Sequence, residues 1–222
     1  MELTDKTFEA RQIITESLRG AKSPCITCSF QAEDMVVLDL LREELPDVPV
    51  LFLETGYHFA EVYAYRDQMT AKYGLNLVNV MPEKTVAEQE SQFGKLFQIA
   101  PDQCCKFRKV GPLFKALENY DVWFTGLRRV QSPTRANLEP IDVFPLPTGK
   151  KIPKISPLAS WTDREVWTVA KQREIPFLPL YDKGYTSIGC EPCTALPLDP
   201  ENLRSGRWAG RKVECGIHVV EG

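Results

Sequence analysis

The sequence contains no apolar run long enough to cross a bilayer, because stretches such as Met35 to Leu41 are interrupted by the charged Asp39. Residues 1–20 lack the apolar central region of a signal peptide, and neither a glycine- or serine-rich linker nor an internal repeat is present. Positive charge is not in excess either, since 27 basic against 30 acidic side chains leave a net charge of −3. We therefore expect a cytoplasmic globular protein that binds neither membranes nor nucleic acid.

The composition favours one domain with a tail. The 222 residues, 43% hydrophobic and 26% charged, suffice for a single well-packed core. We expect this domain over residues 1–200. The last forty residues are rich in proline, glycine, arginine and cysteine and show no core pattern. Of these, residues 201–222 are expected to form a flexible extension.

Short apolar segments alternate with segments whose apolar residues recur at helical spacing. This alternation is typical of an α/β fold with a mainly parallel sheet and flanking helices. Ligands bind at the carboxyl ends of the strands in such sheets, which makes the loops 29–34, 54–59 and 126–135 candidate binding segments. Strands are predicted at 24–29, 49–53, 75–80 and 122–126, and helices at 5–18, 32–45, 60–73, 86–97, 107–117 and 162–173.

Seven cysteines, an odd number without a secretion signal, argue for metal or redox chemistry rather than a disulfide framework. Two local pairs, Cys104-Cys105 and Cys190-x-x-Cys193, make a four-thiolate set suited to an iron–sulfur cluster or a structural zinc. Adjacent cysteines are unusual zinc ligands, so the pattern favours the cluster. Four buried thiols that only fill space are the remaining interpretation.

The other three cysteines fall into two groups. Cys25 and Cys28 resemble a thioredoxin-type motif, but residues three apart on a strand point to opposite faces, so we expect both to be buried in the sheet. Cys215 lies next to Gly216 and just after Arg211 and Lys212. Nearby cations raise the thiolate fraction of a cysteine, so Cys215 is either a nucleophile or a surface thiol without function.

Cations cluster around these thiols although the protein is acidic overall. Arg128, Arg129 and Arg135 follow a predicted strand, and arginine binds phosphate or sulfate through two parallel hydrogen bonds. Lys109 follows the cysteine pair, and further basic residues lie near Cys215. The loop from Ser29 to Asp34 precedes a helix N-terminus, which favours an anion. Together these features predict a small anionic substrate.

These residues resemble the assimilatory sulfonucleotide reductases, in particular the iron–sulfur type that reduces adenylyl sulfate. The resemblance covers nearly the whole chain. Its most specific elements are the cysteine quartet and the segment from Lys212 to His218. It implies an adenine-nucleotide alpha-hydrolase-like fold, related to the ATP pyrophosphatases, with a cysteine-bearing catalytic tail. It also implies a [4Fe–4S] cluster on the quartet that acts electrostatically rather than by passing electrons.

The resemblance also implies substrate contacts at matching positions. The loop with Ser29, Phe30 and Gln31 resembles a phosphate loop, although it lacks the glycines of ATP-cleaving relatives. The segment Glu54, Thr55 and Gly56 resembles the strand end that meets the nucleoside, with Glu54 where the family usually has Asp. Arg128 and Arg129 lie in a segment that resembles the phosphosulfate site. Lys109, Arg204 and Arg207 match basic positions of the family and are also expected to bind the substrate.

The implied mechanism is attack by the Cys215 thiolate on the sulfur of adenylyl sulfate, release of AMP, and discharge of the S-sulfonate by thioredoxin as sulfite. Three alternatives stay open. These are a reductase that uses the 3'-phosphorylated nucleotide as well or instead, an ATP-pyrophosphatase-type enzyme that thiolates tRNA, and a metal-binding module without activity. A homo-oligomer is also compatible with the sequence. His218 either tunes the thiolate or is an exposed tail residue, and His58 is expected to pack beside strand 2.

Overall fold

The computed structural model describes residues 2–199, 202–212 and 214–218. Within them, six strands form one sheet in the order β3-β2-β1-β4-β6-β5. Neighbouring strands are parallel except for the antiparallel pair β5 and β6. This confirms the predicted α/β class with a mainly parallel sheet. The strands are β1 (Pro24–Thr27), β2 (Pro49–Leu53), β3 (Asn76–Val80), β4 (Val122–Phe124), β5 (Ile141–Pro145) and β6 (Lys151–Ile155).

Helices connect and cover these strands. The long ones at the predicted positions are α1 (Leu3–Leu18), α2 (Ala32–Glu44), α3 (Ala60–Tyr73) and α8 (Asp163–Gln172). The capping box of α8 forms as predicted: the Thr162 side chain accepts from the Glu165 backbone, and the Glu165 carboxylate accepts from the Thr162 backbone at 2.7 Å. None of the helices in the described part of the chain is long and apolar enough to span a bilayer.

The region between β3 and β4 is more broken than predicted. The helix predicted at 86–97 stops at Gly94, whose φ of 72° leaves the helical region. The helix predicted at 107–117 begins earlier and contains a π-helical turn, a feature frequent at functional sites. The resulting elements are α4 (Val86–Phe93), α5 (Leu96–Ile99), α6 (Pro101–Cys105), the π-helix Lys106–Val110 and α7 (Gly111–Leu117). Cys104 and Cys105 thus end α6, directly before the π-helix.

The hairpin of β5 and β6 was missed by the sequence pattern. It lies at the edge of the sheet, where Ile141 and Val143 are exposed and the expected alternation of apolar and polar residues is lost. Pro145 and Pro153 further weaken the strand signal. The parallel pairing of β6 with β4 extends the sheet beside the loop that follows β4.

Two apolar clusters pack on opposite faces of the sheet. Cys25 belongs to the cluster around Trp123 and Leu113, and Cys28 belongs to the cluster around Phe52. Both thiols are buried. Burial raises the pKa of each thiol far above its ordinary value, with Asp121 adding to it at Cys25 and Asp34 at Cys28. The prediction that this pair is buried, with its members on different faces, is confirmed.

Candidate active site

A cavity of about 910 Å³ opens at the carboxyl ends of β1, β2 and β4; we call it the main cavity. This is the edge of the sheet at which a parallel α/β fold binds ligands. Eight residues predicted from the sequence line it: Ser29, Gln31, Lys109, Arg128, Arg129, Arg204, Arg207 and Cys215. Four do not line it, namely Phe30, Glu54, Thr55 and Gly56. The structure therefore brings the basic residues and the tail cysteine together.

The loop 29–34 is held by a carboxylate. Asp34 accepts hydrogen bonds from the Ser29 backbone at 2.7 Å, the Ser29 hydroxyl at 2.6 Å and the Gly126 backbone at 3.2 Å. A Cβ at Gly126 would lie 2.9 Å from the Asp34 nitrogen, so only glycine fits there. Burial and the neighbouring Glu33 raise the pKa of Asp34 to about 6. These hydrogen bonds of Asp34 join the loop after β1 to the loop after β4, at the N-terminus of α2.

Phe30 is placed differently from the other loop residues. Its side chain is fully buried in the core and packs edge-on against Phe52, with ring centroids 5.8 Å apart. Its backbone φ of 62° turns the chain so that Ser29 and Gln31 face the main cavity instead. A role for Phe30 in contacting substrate stays a prediction, and the contacts seen are those of a core residue.

The segment after β2 supports the cysteine-bearing segments. Glu54 accepts from the Tyr63 hydroxyl at 2.6 Å and pairs with Arg66 at 3.3 Å. The Thr55 carbonyl accepts from Arg108, and the Cys190 thiol lies 3.4 Å from the Thr55 hydroxyl. The predicted nucleoside contacts of residues 54–56 therefore remain a prediction, while their observed contacts lie within the protein.

His58 packs beside strand β2, as expected. Its Nε2 lies 2.8 Å from the Leu53 carbonyl, and its ring lies 4.8 Å from that of Phe52. Burial and the cation of Lys109 lower the pKa of His58 to about 4. The ring is therefore neutral near pH 7 and donates from Nε2 to the carbonyl.

Four of the arginines around the main cavity differ in how they are held. Arg128 is buried, and its Nη2 donates to Asp163 at 2.6 Å. Arg129 is more exposed; it donates to the Leu138 carbonyl at 2.7 Å and lies 3.6 Å from Glu139. The Nε groups of Arg128, Arg135 and Arg207 are buried and have no hydrogen-bond partner in the described part of the chain. Buried donors of this kind point to an anion that completes the site.

A second, smaller cavity is lined by all four predicted cluster cysteines; we call it the cysteine cavity. Cys104 and Cys105 are buried, and Cys190 and Cys193 are partly buried. Burial and the three other cysteine thiols raise the pKa of Cys104 to about 11. Among the described residues, no group of three or more histidine, cysteine or acidic side chains has the spacing of a metal site. Four thiols around one cavity nevertheless fit the donor set of an iron–sulfur cluster.

Lys109, Arg207 and Trp208 line both cavities. Burial lowers the pKa of Lys109, but the thiols of Cys190, Cys215 and Cys105 outweigh it, so that pKa is raised. A Cβ at Gly189 would collide with the guanidinium of Arg207, so glycine next to Cys190 makes room for this cation. The cations between the cavities therefore face both the cysteine quartet and Cys215.

The described part of the tail is docked on the domain. Trp208 is buried, with Arg207 stacked 4.4 Å above its ring. Ile217 joins the cluster around Trp123, and His218 stacks on Trp123 at 5.3 Å. His218 is thus a packed residue instead of an exposed one. The expected flexibility of residues 201–222 stays a prediction, and residues 201, 213 and 219–222 of that segment lie outside the described residues.

Two acidic residues of the site were missed by sequence reasoning. Asp34 latches the loop 29–34, and Glu214 pairs with Arg135 at 2.7 Å. In a sequence, an anion site is indicated by cations, so a carboxylate gives no signal of this kind. The available signal was position, because Asp34 lies in the first turn of the helix after β1 and Glu214 adjoins Cys215.

Comparison with known proteins agrees with this geometry. Residues 23–196 match the phosphoadenosine phosphosulfate reductase domain. The adenosine 5'-phosphosulfate reductase of Geobacillus sp. (strain WCH70) is 42% identical over 97% of this chain and 92% of its own. Among solved structures, the phosphoadenylyl-sulfate reductase of Candida auris, in a phosphate complex, superposes with a TM-score of 0.73 at 24% identity, over 84% of this chain and 90% of its own. The FMN adenylyltransferase of Candida glabrata, in complex with FMN and an ATP analogue, superposes with a TM-score of 0.65 at 18% identity, over 88% of this chain and 66% of its own. These likenesses confirm the predicted fold.

Proposed function

This chain belongs to the phosphoadenosine phosphosulfate reductase domain family, and from that membership we propose that it reduces adenosine 5'-phosphosulfate to sulfite and AMP in sulfate assimilation. Relatives that carry the name adenosine 5'-phosphosulfate reductase are 42% to 48% identical to it, which makes it a reductase acting on a sulfur group. The name of these relatives favours the substrate without a 3'-phosphate.

One observation carries the proposal: Cys215 lines the same cavity as Arg128, Arg135 and Arg207, whose buried Nε groups have no hydrogen-bond partner among the described residues. A phosphosulfate offers oxygens to such donors, and charge-assisted hydrogen bonds are the stronger class. A thiol beside them meets the sulfur of the bound group. Cations also offset the repulsion between a thiolate and an anionic substrate.

In the first step, the Cys215 thiolate forms a bond to the sulfate sulfur. The bond from that sulfur to the bridging phosphate oxygen breaks, and its electron pair leaves with AMP. Lys109 and Arg207 lie beside Cys215 and oppose the negative charge that builds up on the sulfonate oxygens. The product is a Cys215 S-sulfonate. The loop with Ser29 and Gln31, at the N-terminus of α2, suits the phosphate of AMP.

In the second step, a thiolate of reduced thioredoxin attacks the Cys215 sulfur. The bond to the sulfonate breaks, and sulfite leaves with the electron pair. The second thiol of thioredoxin then resolves the mixed disulfide, which restores Cys215 and leaves oxidised thioredoxin. The two electrons of the reaction therefore come from the dithiol of the donor protein.

The residues that would hold a [4Fe–4S] cluster are Cys104, Cys105, Cys190 and Cys193, because all four line one cavity. When bound, the cluster would act electrostatically on the neighbouring cations and would not transfer electrons. Lys109 and Arg207 occupy the wall between the cysteine cavity and the main cavity. The positive charges of these two residues therefore lie beside Cys215, where the sulfonate forms.

Parallel sulfite assays test the proposal. Anaerobically purified protein with reduced thioredoxin should release sulfite and AMP from adenosine 5'-phosphosulfate. It should release far less from the 3'-phosphorylated nucleotide at equal concentration. Faster reduction of the 3'-phosphorylated substrate would overturn the substrate assignment. Release of AMP from ATP in place of sulfite formation would overturn the reaction class.

A further inference from the structure

The carboxylate of Glu214 reaches into the arginine-rich wall of the main cavity. Its oxygens accept from Arg135 Nη2 at 2.7 Å and from the Thr134 hydroxyl at 3.1 Å, and lie 3.9 Å from Arg204 Nη2. Side chains of both Arg135 and Glu214 are 11% exposed. The cations of Arg135 and Arg204 and the hydrogen bonds lower the pKa of Glu214 even though burial raises it. The Glu214 carboxylate is therefore ionised, and its contact with Arg135 is largely shielded from water.

The guanidinium of Arg135 has enough hydrogen-bond donors to bind the tail and a substrate at the same time. Its Nη2 holds Glu214 and its Nη1 donates to Gln131 at 2.5 Å, while its buried Nε has no partner among the described residues. Arg135 also lines the main cavity. One guanidinium can thus bind the tail through Nη2 and a substrate oxygen through Nε, since the fork of donors is planar and rigid.

Glu214 directly precedes Cys215, so its position restricts that of the thiol. Consecutive Cα atoms lie about 3.8 Å apart across a trans peptide. On the other side, a Cβ at Gly216 would lie 3.5 Å from Val110, and Ile217 packs in the core cluster around Trp123. Cys215 therefore lies between one polar anchor, Glu214, and one apolar anchor, Ile217.

We propose that Glu214 is a positioning residue that sets Cys215 against the substrate by sharing Arg135 with it, an inference that rests on the proposed function. A carboxylate in this wall also repels an anionic nucleotide. Glu214 therefore weakens nucleotide binding while it speeds the attack of the thiolate. If Glu214 had a merely structural role, its replacement would lower both the affinity for the nucleotide and the rate of thiolate attack.

The test is a comparison of wild type with Glu214→Gln, using anaerobically purified full-length protein. Single-turnover formation of the Cys215 adduct from adenosine 5'-phosphosulfate should slow by about tenfold, the loss of one charge-assisted contact. The Kd for AMP should stay equal or fall. Glu214→Asp, which keeps the charge on a shorter side chain, should recover part of the rate. Trypsin should also cleave faster after Arg211 in Glu214→Gln, because the tail is less firmly docked.

Glu43→Gln is the matched control. Glu43 is also held by two arginines, Arg11 at 2.7 Å and Arg173, but lies outside both cavities. Glu43→Gln should leave the rate of adduct formation and the Kd for AMP unchanged. Equal adduct rates in wild type and Glu214→Gln, or a Kd for AMP that rises in step with a rate loss, would overturn the inference. Absence of the adduct in wild type would instead contradict the proposed function.

Discussion

The ammonium group of Lys212 lies 3.5 Å from the sulfur of Cys105 and 2.6 Å from Asp102. It also lies 5.0 Å from the centre of the Trp208 ring. One side chain of the tail thus contacts the wall of the cysteine cavity. Docking of the segment that carries Cys215 is therefore linked to the cysteine quartet by a direct contact.

Lys212→Met should loosen the tail, because it removes the contact with the Cys105 sulfur and the ion pair with Asp102; the Asp102 side chain is 90% exposed, so such a pair typically stabilises by at most about 1 kcal/mol. Hydrogen exchange over residues 207–218 should become about fivefold faster, while exchange in β1 and β2 stays unchanged. The exposed Lys115→Met is the control and should leave the tail as in wild type. Unchanged exchange in Lys212→Met would show that this contact does not hold the tail.

Replacing Cys104, Cys105, Cys190 or Cys193 by Ser should abolish iron and sulfide binding, because each removes one thiolate from a four-thiolate set. The measurement is iron and sulfide content with the absorption near 400 nm after anaerobic purification. Cys25→Ala, which alters a buried thiol of β1, should keep the iron. One equivalent of zinc without sulfide in the unaltered protein would contradict the cluster assignment.

Arg128→Ala should weaken the use of adenosine 5'-phosphosulfate by roughly ten- to a hundredfold in kcat/KM, the value of one charge-assisted contact. Arg129→Ala should cost less, because the Arg129 side chain is 36% exposed whereas that of Arg128 is buried, and contacts in water are weaker. Arg164→Ala, an exposed arginine on α8, is the control. An equal loss in Arg128→Ala and Arg164→Ala would place the anion site elsewhere.

His218 should make tail docking sensitive to acid. Burial, followed by the cations of Lys154, Arg135 and Arg204, lowers the pKa of His218 well below its ordinary value of 6.5. The released tail therefore binds a proton more tightly than the docked tail. The neutral His218 ring therefore stabilises the docked tail fully above about pH 6.5. This stabilisation is lost as the pH falls below that value.

Trypsin cleavage after Arg211 measures this effect. Cleavage rates compared at pH 7.5 and 5.5, each corrected with an unfolded substrate, should rise on acidification in wild type. His218→Phe keeps the ring against Trp123 but does not titrate, so its corrected rates should change less. The same acid response in both proteins would mean that another group controls docking.

The parts of this fold that were predicted from the sequence are those with strong local signals. β2 and α3 have the predicted bounds because proline, glycine and helical spacing mark their ends. The β5–β6 hairpin was missed, since its edge position exposes Ile141 and Val143. The cysteine quartet could be grouped by spacing alone. The contacts of Glu214 and Lys212 could not, because they depend on how the tail folds back over about 80 to 110 intervening residues.

The most direct test of the account is the mass of the peptide that contains Cys215. Adenosine 5'-phosphosulfate added without a thiol donor should raise this mass by one SO₃ group, about 80 Da, as covalent catalysis requires. Reduced thioredoxin should remove the added mass and release one sulfite for each adduct. Cys215→Ser should show no adduct and no sulfite, yet keep its iron and bind AMP. An adduct on another cysteine, or turnover by Cys215→Ser, would contradict the account.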